Sequence, residues 1–466
     1  MKSIKQQTTD NININWNIFY KSVFSLVLPM AIQNLINVGV TATDVFMLGR
    51  VGEKVLSGSS LAGQIQFIMM LVFFGITAGA TVLTAQYWGK RDTKTIEKIL
   101  GMGLSGGILI AAVFTALALI IPDRLMHIFT SDPIVITEGA KYLRIVGMSY
   151  MFMAVTQVYL NIMRSIERVV VATVIYFISL LVNICINAIL IFGLFGAPRL
   201  EIVGAAIGTL SARITETTLV LLYAHFKNKI VKIRLKNMLH IDRILFQDFV
   251  RYSMPVVLNE LMWGLGTSCN TAIIGHLGSE AVAANSVAQV ARQLAQVVVF
   301  GISNATSIWL GKTLGEGKLL HAKAYAKRFA ILSLILGMIG GSAILIFGPV
   351  AANMLALSET SQKYLRFMFF VMSYFVVGQA FNTTMVCGIF RSGGDTRFGL
   401  YMDVITMWGC SILLGALAAF VFHASVPVVY AILLSDEVIK VPICFLRYRK
   451  YKWLRDVTRE QEELEG

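Results

Sequence analysis

Apolar residues fall into twelve runs, each close to the roughly 20 residues that an α-helix needs to cross a hydrocarbon layer. The first six cover approximately residues 20–43, 60–87, 99–121, 143–163, 169–195 and 202–224, and the second six approximately 250–275, 285–311, 329–348, 365–389, 398–421 and 426–446. Polar residues inside these runs keep helical spacing. In PMAIQNLINVGVTATDVFMLGRVG, residues 29–52, Asn34, Asn37, Thr41 and Asp44 recur at i, i+3, i+7 and i+10, one narrow polar stripe on an Ile, Val, Met and Ala surface. Hydrocarbon cannot solvate that stripe, so it faces protein or water. The pattern predicts an all-α polytopic membrane protein of twelve transmembrane helices.

The same stripe returns 226 residues later, where Glu260, Trp263, Thr267 and Asn270 follow Pro255 as Asn34, Asn37, Thr41 and Asp44 follow Pro29. Sliding the chain on itself by that offset also sets Leu35, Gly49, Gly52 and the run Phe74, Gly75, Ile76 on Leu261, Gly275, Gly278 and Phe300, Gly301, Ile302. Six spans, an even number, separate equivalent points. Both halves therefore enter the membrane in the same direction, a parallel repeat about an axis along the membrane normal. The expected organisation is an N-terminal six-helix lobe over 1–224, a basic cytoplasmic linker over 225–248 that is amphipathic enough to lie at the interface, a C-terminal six-helix lobe over 249–446 and a charged cytoplasmic tail over 447–466.

Composition sharpens the class. Of 466 residues, 56% are hydrophobic and 14% charged, too little polar surface for a soluble protein of this size. The net charge of +14 raises the question of nucleic acid, but the basic residues lie in short segments between apolar runs, where they act as a topology signal; no nucleic-acid partner is expected. Lys90, Arg91, Lys94 and Lys98, the linker, and Lys312 to Arg328 fall on one side. The opposite side holds only Arg50, Lys54, Arg124, Lys141, Arg199 and Lys363. Both termini are thus expected in the cytoplasm. Residues 1–16 are polar and lack the apolar core of a cleavable signal peptide. The five cysteines lie in apolar runs without CxxC spacing, and the six histidines never pair at ligand spacing. No disulfide framework, resident metal or cofactor is expected. A polytopic membrane enzyme would need a nucleophile or ligand cluster at a span end, and the sequence offers none.

Candidate chemistry concentrates in a few spans. Asp44 reads either as a helix-end carboxylate or as an intramembrane acid, which is functional by default. Ser179, Asn183 and Asn187, spaced by four, draw a polar line on the fifth span, and Thr209, Arg213 and Glu216 lie in the sixth. One carboxylate, two amides and a hydroxyl can supply the hard oxygens a small cation such as Na+ requires, or hold an acid that carries a proton. The asparagines also read as interhelical hydrogen-bonding groups, and Arg213 with Glu216 as a structural ion pair. Glu260 shares its stripe with Trp263, a face for aromatic or cationic ligands; its alternative role is to pair with Arg292. Asp395, in FRSGGDTRFG, reads first as part of a turn between spans ten and eleven and second as a functional acid. Asn34, Asn37, Thr41, Glu260, Trp263 and Asp395 form the candidate set for substrate contact or second-lobe coupling.

Twelve spans in two parallel halves, with TATDVFMLGRVG, NICINAILIFG, VGAAIGTLSAR and FRSGGDTR at their places, together resemble the MATE (multidrug and toxic compound extrusion) transporters, nearest the bacterial NorM-like type. The resemblance implies export of organic cations, drugs and other amphiphiles by alternating access, driven by inward flow of Na+ or H+. It implies a monomer in the plasma (inner) membrane of a bacterium, whose partners are small-molecule substrates and membrane lipids. It also implies that Asp44, Asn183, Asn187 and Thr209 stand at an N-terminal-lobe cation site, and Glu260 and Asp395 at coupling positions of the other lobe. Some members carry an aspartate where this chain has Asn187, which leaves sodium and proton coupling both open. The rival within the superfamily is a flippase of lipid-linked saccharide, which calls for cationic residues deep in the first spans, where this chain leans acidic. The orientation is testable directly: a tag placed after Gly466 should be labelled by an impermeant reagent only after cell lysis, and labelling of intact cells would refute the orientation or the span count.

Overall fold

The computed structural model describes residues 14–239, 242–354 and 358–460, and every regular element among them is a helix. The long helices of the first half are α1 Trp16–Gly49, α2 Glu53–Gly89, α3 Thr93–Ile120, α4 Pro133–Ser165, α5 Val169–Phe192 and α6 Glu201–Leu222. The second half begins with α7 Arg243–Gly275, α8 Ser279–Gly315 and α9 Leu319–Met354. It continues with α10 Glu359–Phe390 and α11 Thr396–Val421, then α12 Val426–Leu433 and α13 Asp436–Arg449.

Ten of these helices are long and apolar enough to cross a membrane. α7 has the length, 33 residues, but Asn259, Glu260, Thr267 and Asn270 dilute its apolar surface. The twelfth predicted run is not one helix. It breaks between α12 and α13, where the Ser435 hydroxyl donates to the Ile432 carbonyl and contacts the Ser411 hydroxyl at 3.1 Å, a side-chain bond that competes with the backbone ladder. Together the elements trace the twelve apolar runs of a multi-pass membrane protein.

Among the described residues two compact units emerge, one of residues 32–253 with Glu460, the other of residues 14–31 with 254–459. Their boundaries fall inside α1, two residues after Pro29, and inside α7, just before Pro255. Proline removes a backbone donor and crowds the preceding turn, so each helix is weakest where the units divide.

In the unit of residues 32–253, α2, α4 and their neighbours close on a core that includes Met69, Phe73, Leu143, Tyr150 and Met153. α5 ends at Gly193 in the left-handed region, φ +73°, a glycine C-cap. The chain then turns back into α6 with Leu200 N–H donating to the Leu190 carbonyl at 2.8 Å. Gly204 and Gly208, one helical turn apart, let α6 approach α5 at backbone distance. A Cβ on Gly204 would stand 2.7 Å from the Leu190 carbonyl. The basic linker is tied down along the start of α3: Glu97 accepts Lys232 N–H and pairs with Arg234 at 2.6 Å, while Ser105 donates to the Met238 carbonyl. Asp132 caps α4 by accepting Ile134 and Val135 N–H, and the Lys54 ammonium hydrogen-bonded to it holds its carboxyl below the usual carboxylate range.

In the other unit, Phe19 stacks on Tyr325 at 4.8 Å and meets Trp309 and Phe329 edge-on. Residues after α13 pack as well. Trp453 is fully buried, and Arg455 donates to the carbonyls of Gly393 and Gly394 at 2.7 Å each.

Replacing Gly204 by alanine forces a methyl into the α5–α6 backbone contact and should cost about 1–3 kcal/mol, read as a lower midpoint of thermal unfolding in detergent. Gly106→Ala, which meets open space, should leave the midpoint unchanged or raise it slightly.

Candidate functional site

The polar line on α5 is buried throughout, with Asn187 fully enclosed and Ser179 and Asn183 nearly so. Asn187 Nδ2 donates to Asp44 Oδ1 at 2.6 Å and to Asn183 Oδ1 at 3.2 Å. That bond brings α1 and α5 together across 143 residues of sequence. The Asn187 Oδ1 atom is buried and accepts no hydrogen bond. It lies directly over Gly208, where any Cβ would collide with it. The next residue, Thr209, is buried beside the Tyr142 hydroxyl. The structure thus gathers Asp44, Asn183 and Asn187 from α1 and α5 into one cluster of oxygen donors, one of them a carboxylate and one an amide oxygen with an unmet lone pair, while Thr209 of α6 follows the glycine beneath that oxygen.

The rest of the α1 stripe goes elsewhere. Asn37 and Thr41 are exposed and Asn34 is half-buried, and the Thr41 hydroxyl donates to the Asn37 carbonyl of its own helix. A residue that the stripe omitted takes part in the α1–α5 contact. Gln33 is buried, and its Nε2 donates to the Val169 carbonyl at 3.0 Å and to Thr173 Oγ1 at 2.8 Å. It stands at i, i+4 and i+11 with Asn37 and Asp44, so helical spacing alone was enough to place it on that face. One turn before Asn183 on α5, Ser179 Oγ donates to Glu216 of α6 at 2.6 Å, and Glu216 also accepts from Arg213 Nη1 at 2.7 Å. The Arg213 guanidinium also acts electrostatically on Asp44.

In the unit of residues 254–459, Glu260 does not pair with Arg292. Its Oε1 accepts from Arg391 Nη2 at 2.8 Å, and both side chains are largely buried. Arg391 directly follows a widened π turn, Thr384–Phe390, at the end of α10. A second buried group centres on Lys440 of α13, whose ammonium lies 2.8 Å from Asp403, 2.8 Å from Asp436 and 3.5 Å from Glu437. Asn382 of α10 donates to the Glu437 carboxylate at 2.8 Å and to its carbonyl at 2.7 Å. Glu260, Asp403, Asp436 and Glu437 set against Arg391, Lys440 and Arg292, on which Asp436 and Glu437 also act, leave a formal excess of one negative charge in the interior. Sequence reasoning passed over Asp403, Asp436, Glu437 and Lys440, although charges inside the runs 398–421 and 426–446 are themselves the signal.

Asp395 stands apart from this group. It forms a two-pronged pair with Arg447, both contacts at 2.8 Å, at the start of α11. Trp263 is half-buried against the apolar core of its unit. Thr267 and Asn270, further along the α7 stripe, line a cleft together with Arg292.

With this geometry established, comparison with known proteins places the chain. The MatE family matches residues 29–189 and 255–417, two segments that begin at the repeat-equivalent prolines Pro29 and Pro255. The chain is 22% identical to YisQ of Bacillus subtilis, an uncharacterised transporter, over 93% of this chain and 95% of that protein. It is also 22% identical to the probable multidrug resistance protein NorM of Thermotoga maritima over 95% of each. Among solved structures, a MATE in its bent conformation superposes with a TM-score of 0.85 at 16% identity, covering 96% of this chain and 97% of that one. A MOP-superfamily transporter from Pyrococcus furiosus reaches 0.84 at 17% identity over 92% and 95%. The two matched segments span more than half of the sequence, one in each half of the repeat, and the chain belongs to the MatE family.

Proposed function

We propose that this MatE-family protein is a cation-coupled antiporter that exports organic cations, drugs and other amphiphiles across a bacterial inner membrane, with both termini in the cytoplasm and Asp44 as the residue that takes up the coupling Na+ or H+. The observation that carries the reading is the Asp44–Asn187–Asn183 cluster with its unpartnered amide oxygen. A charge within a span costs about 3 kcal/mol on insertion scales, and a helix keeps it where it is matched by polar neighbours or a bound ion. Asp44 supplies the charge, and Asn183, Asn187 and Thr209 supply neutral oxygens, a set that suits Na+ or stabilises a carboxylic acid holding H+. The relatives that cover most of the chain include probable multidrug resistance proteins, which supports drug-like cargo.

Coupling then follows from differential affinity. An ion shifts a two-state protein only by binding one state more tightly than the other, and a cluster built across α1 and α5, over Gly208 of α6, changes its donor set whenever those helices shift. Ion uptake at Asp44 replaces the donated Asn187 hydrogen bond with a cation or a proton, and so favours one arrangement of α1, α5 and α6. On this reading the acid-rich interior around Lys440 favours the approach of cationic cargo, while the Glu260–Arg391 pair ties α7 to the end of α10. The protein works as a monomer surrounded by lipid.

The test uses purified protein in liposomes, a cationic dye, and sodium and proton gradients applied separately. Asp44→Asn keeps size and hydrogen bonding and removes the charge; it should insert at parental levels and lose gradient-driven export by about tenfold or more, the scale of one lost charge-assisted contact. Asn187→Ala and Gly208→Ala should lower export less and raise the sodium concentration or shift the pH at which it is half-maximal. Parental export by Asp44→Asn with an unchanged dependence on sodium and pH would refute the assignment.

A further inference from the structure

The linker that joins the two halves of the sequence is a row of cations fixed to the body of the 32–253 unit. From His225 to Leu239 it carries Lys227, Lys229, Lys232, Arg234 and Lys236 and no acid. Asn228 and Val231 are buried, while Lys227, Lys229, Lys232 and Arg234 are exposed. The Asn228 side chain holds that alternation in place. Its Oδ1 accepts Ile230 and Val231 N–H, and its Nδ2 donates to the Val231 carbonyl and to the Tyr159 hydroxyl of α4, each at 2.8 Å. Further along, buried Glu97 of α3 accepts Lys232 N–H and pairs with Arg234. Asn237 runs so close to α3 that a Cβ on Gly101 would stand 2.6 Å from its carbonyl oxygen. Among the described residues the ammonium groups of Lys227, Lys229, Lys232 and Lys236 form no ion pair.

The row begins where an apolar surface ends. Leu221 and Leu222, at the end of α6, are exposed, and after the π turn Tyr223–Lys227 begins so is Phe226, at 68%. In a multi-pass membrane protein an exposed apolar helix surface meets acyl chains, so the cations that directly follow it lie at the depth of the lipid headgroups. Lys94, exposed on the first turn of α3, adds a further cation at the end of that helix where the linker is tied. Like charges on a fixed backbone cannot relieve their repulsion by spreading apart, and an anionic surface relieves it instead. An anionic phospholipid completes both parts of the match, with phosphate for the ammonium groups and chains for Phe226. Lysine acts as a point charge on a flexible stem, which suits a layer of headgroups rather than one oriented ligand.

We propose that residues 226–236 form a strap that binds anionic phospholipid headgroups through Lys227, Lys229 and Lys232, with Phe226 set among the acyl chains. Zwitterionic lipid binds the strap less well, because its own ammonium group repels the lysines. The inference goes beyond the export reading and stands without it, since the strap lies outside the Asp44 cluster and its binding is measured with no ion gradient.

The experiment titrates phosphatidylglycerol labelled on an acyl chain into the purified full chain in an uncharged detergent, follows fluorescence anisotropy, and repeats the titration with phosphatidylcholine bearing the same label. The parent should bind phosphatidylglycerol about tenfold or more tightly than phosphatidylcholine, the scale of several lysines acting on anionic headgroups, and the preference should shrink as salt is raised. Lys227→Gln, Lys229→Gln and Lys232→Gln combined should abolish most of it. Arg397→Gln, Lys450→Gln and Lys452→Gln combined remove the same charge from exposed positions of the other unit and should leave it in place. Thermal unfolding is the control for integrity. Lys229→Gln alone, expected to weaken phosphatidylglycerol by about fivefold, decides if the triple variant does not fold. Equal phosphatidylglycerol affinity of strap variant and parent overturns the proposal, and so does an equal loss in both triple variants, which assigns the effect to net charge. Release of the lipid by inorganic phosphate at matched ionic strength also overturns it, by showing a site for free phosphate.

Discussion

Everything in this protein depends on how charge and unpaired polar groups are satisfied where water is scarce. An apolar helix can carry an acid through hydrocarbon only if another element meets it. Asp44 is met by Asn187, Glu260 by Arg391, Glu216 by Arg213 and Ser179, and Asp403, Asp436 and Glu437 by a single lysine. These pairings set which helices lie side by side as firmly as the apolar cores do. A buried pair adds little net stability against an apolar replacement, so what the contacts that cross between helices contribute here is placement: Asn187–Asp44, Arg391–Glu260, Ser179–Glu216 and Lys440–Asp403 each fix a particular face of one helix against a particular face of another.

Small residues make those placements possible. Gly204 and Gly208 bring α6 against α5 closely enough that Asn187 sits over a backbone, with no side chain between. The packing of α5 on α6 and the shape of the oxygen cluster therefore have the same cause. In the other unit the same end is reached by different means, through π turns at Thr384–Phe390 and Val404–Ile412 that adjoin Arg391 and Asp403. A π turn adds a residue to the helical repeat and re-aims the side chains that follow. That is how Arg391 comes to meet Glu260; Asp403, the last residue before the second π turn, meets Lys440 from the regular helix Thr396–Asp403.

Much of this was legible in the sequence. The period of 3.6 put Ser179, Asn183 and Asn187 on one face, and the repeat at 226 residues marked the prolines at which the units divide. Helical spacing also carried Gln33, had the stripe been read from Asp44 backwards. Partner choice was not legible. Whether Glu260 pairs with Arg292 or Arg391 depends on the widened turn before Arg391, which leaves no mark in hydropathy or spacing. The cluster around Lys440 was hidden for a related reason: an apolar run was read as one continuous span, and the charges within SDEVIK were absorbed into its average.

The division of the two units inside α1 and α7 has a meaning for how such a chain is assembled. Each unit contains the leading end of a helix whose remainder belongs to the other. A chain cut in the segment between α6 and α7 would yield two pieces, each lacking a helix end that completes its own core. Phe19, for example, would be separated from Tyr325 and Phe329. The halves are thus related as partners in an exchange, in the manner of domain-swapped protomers. If the repeat arose by doubling of a six-helix ancestor, that ancestor had to trade the leading end of its first helix with a second copy of itself, and fusion into one chain made the trade permanent.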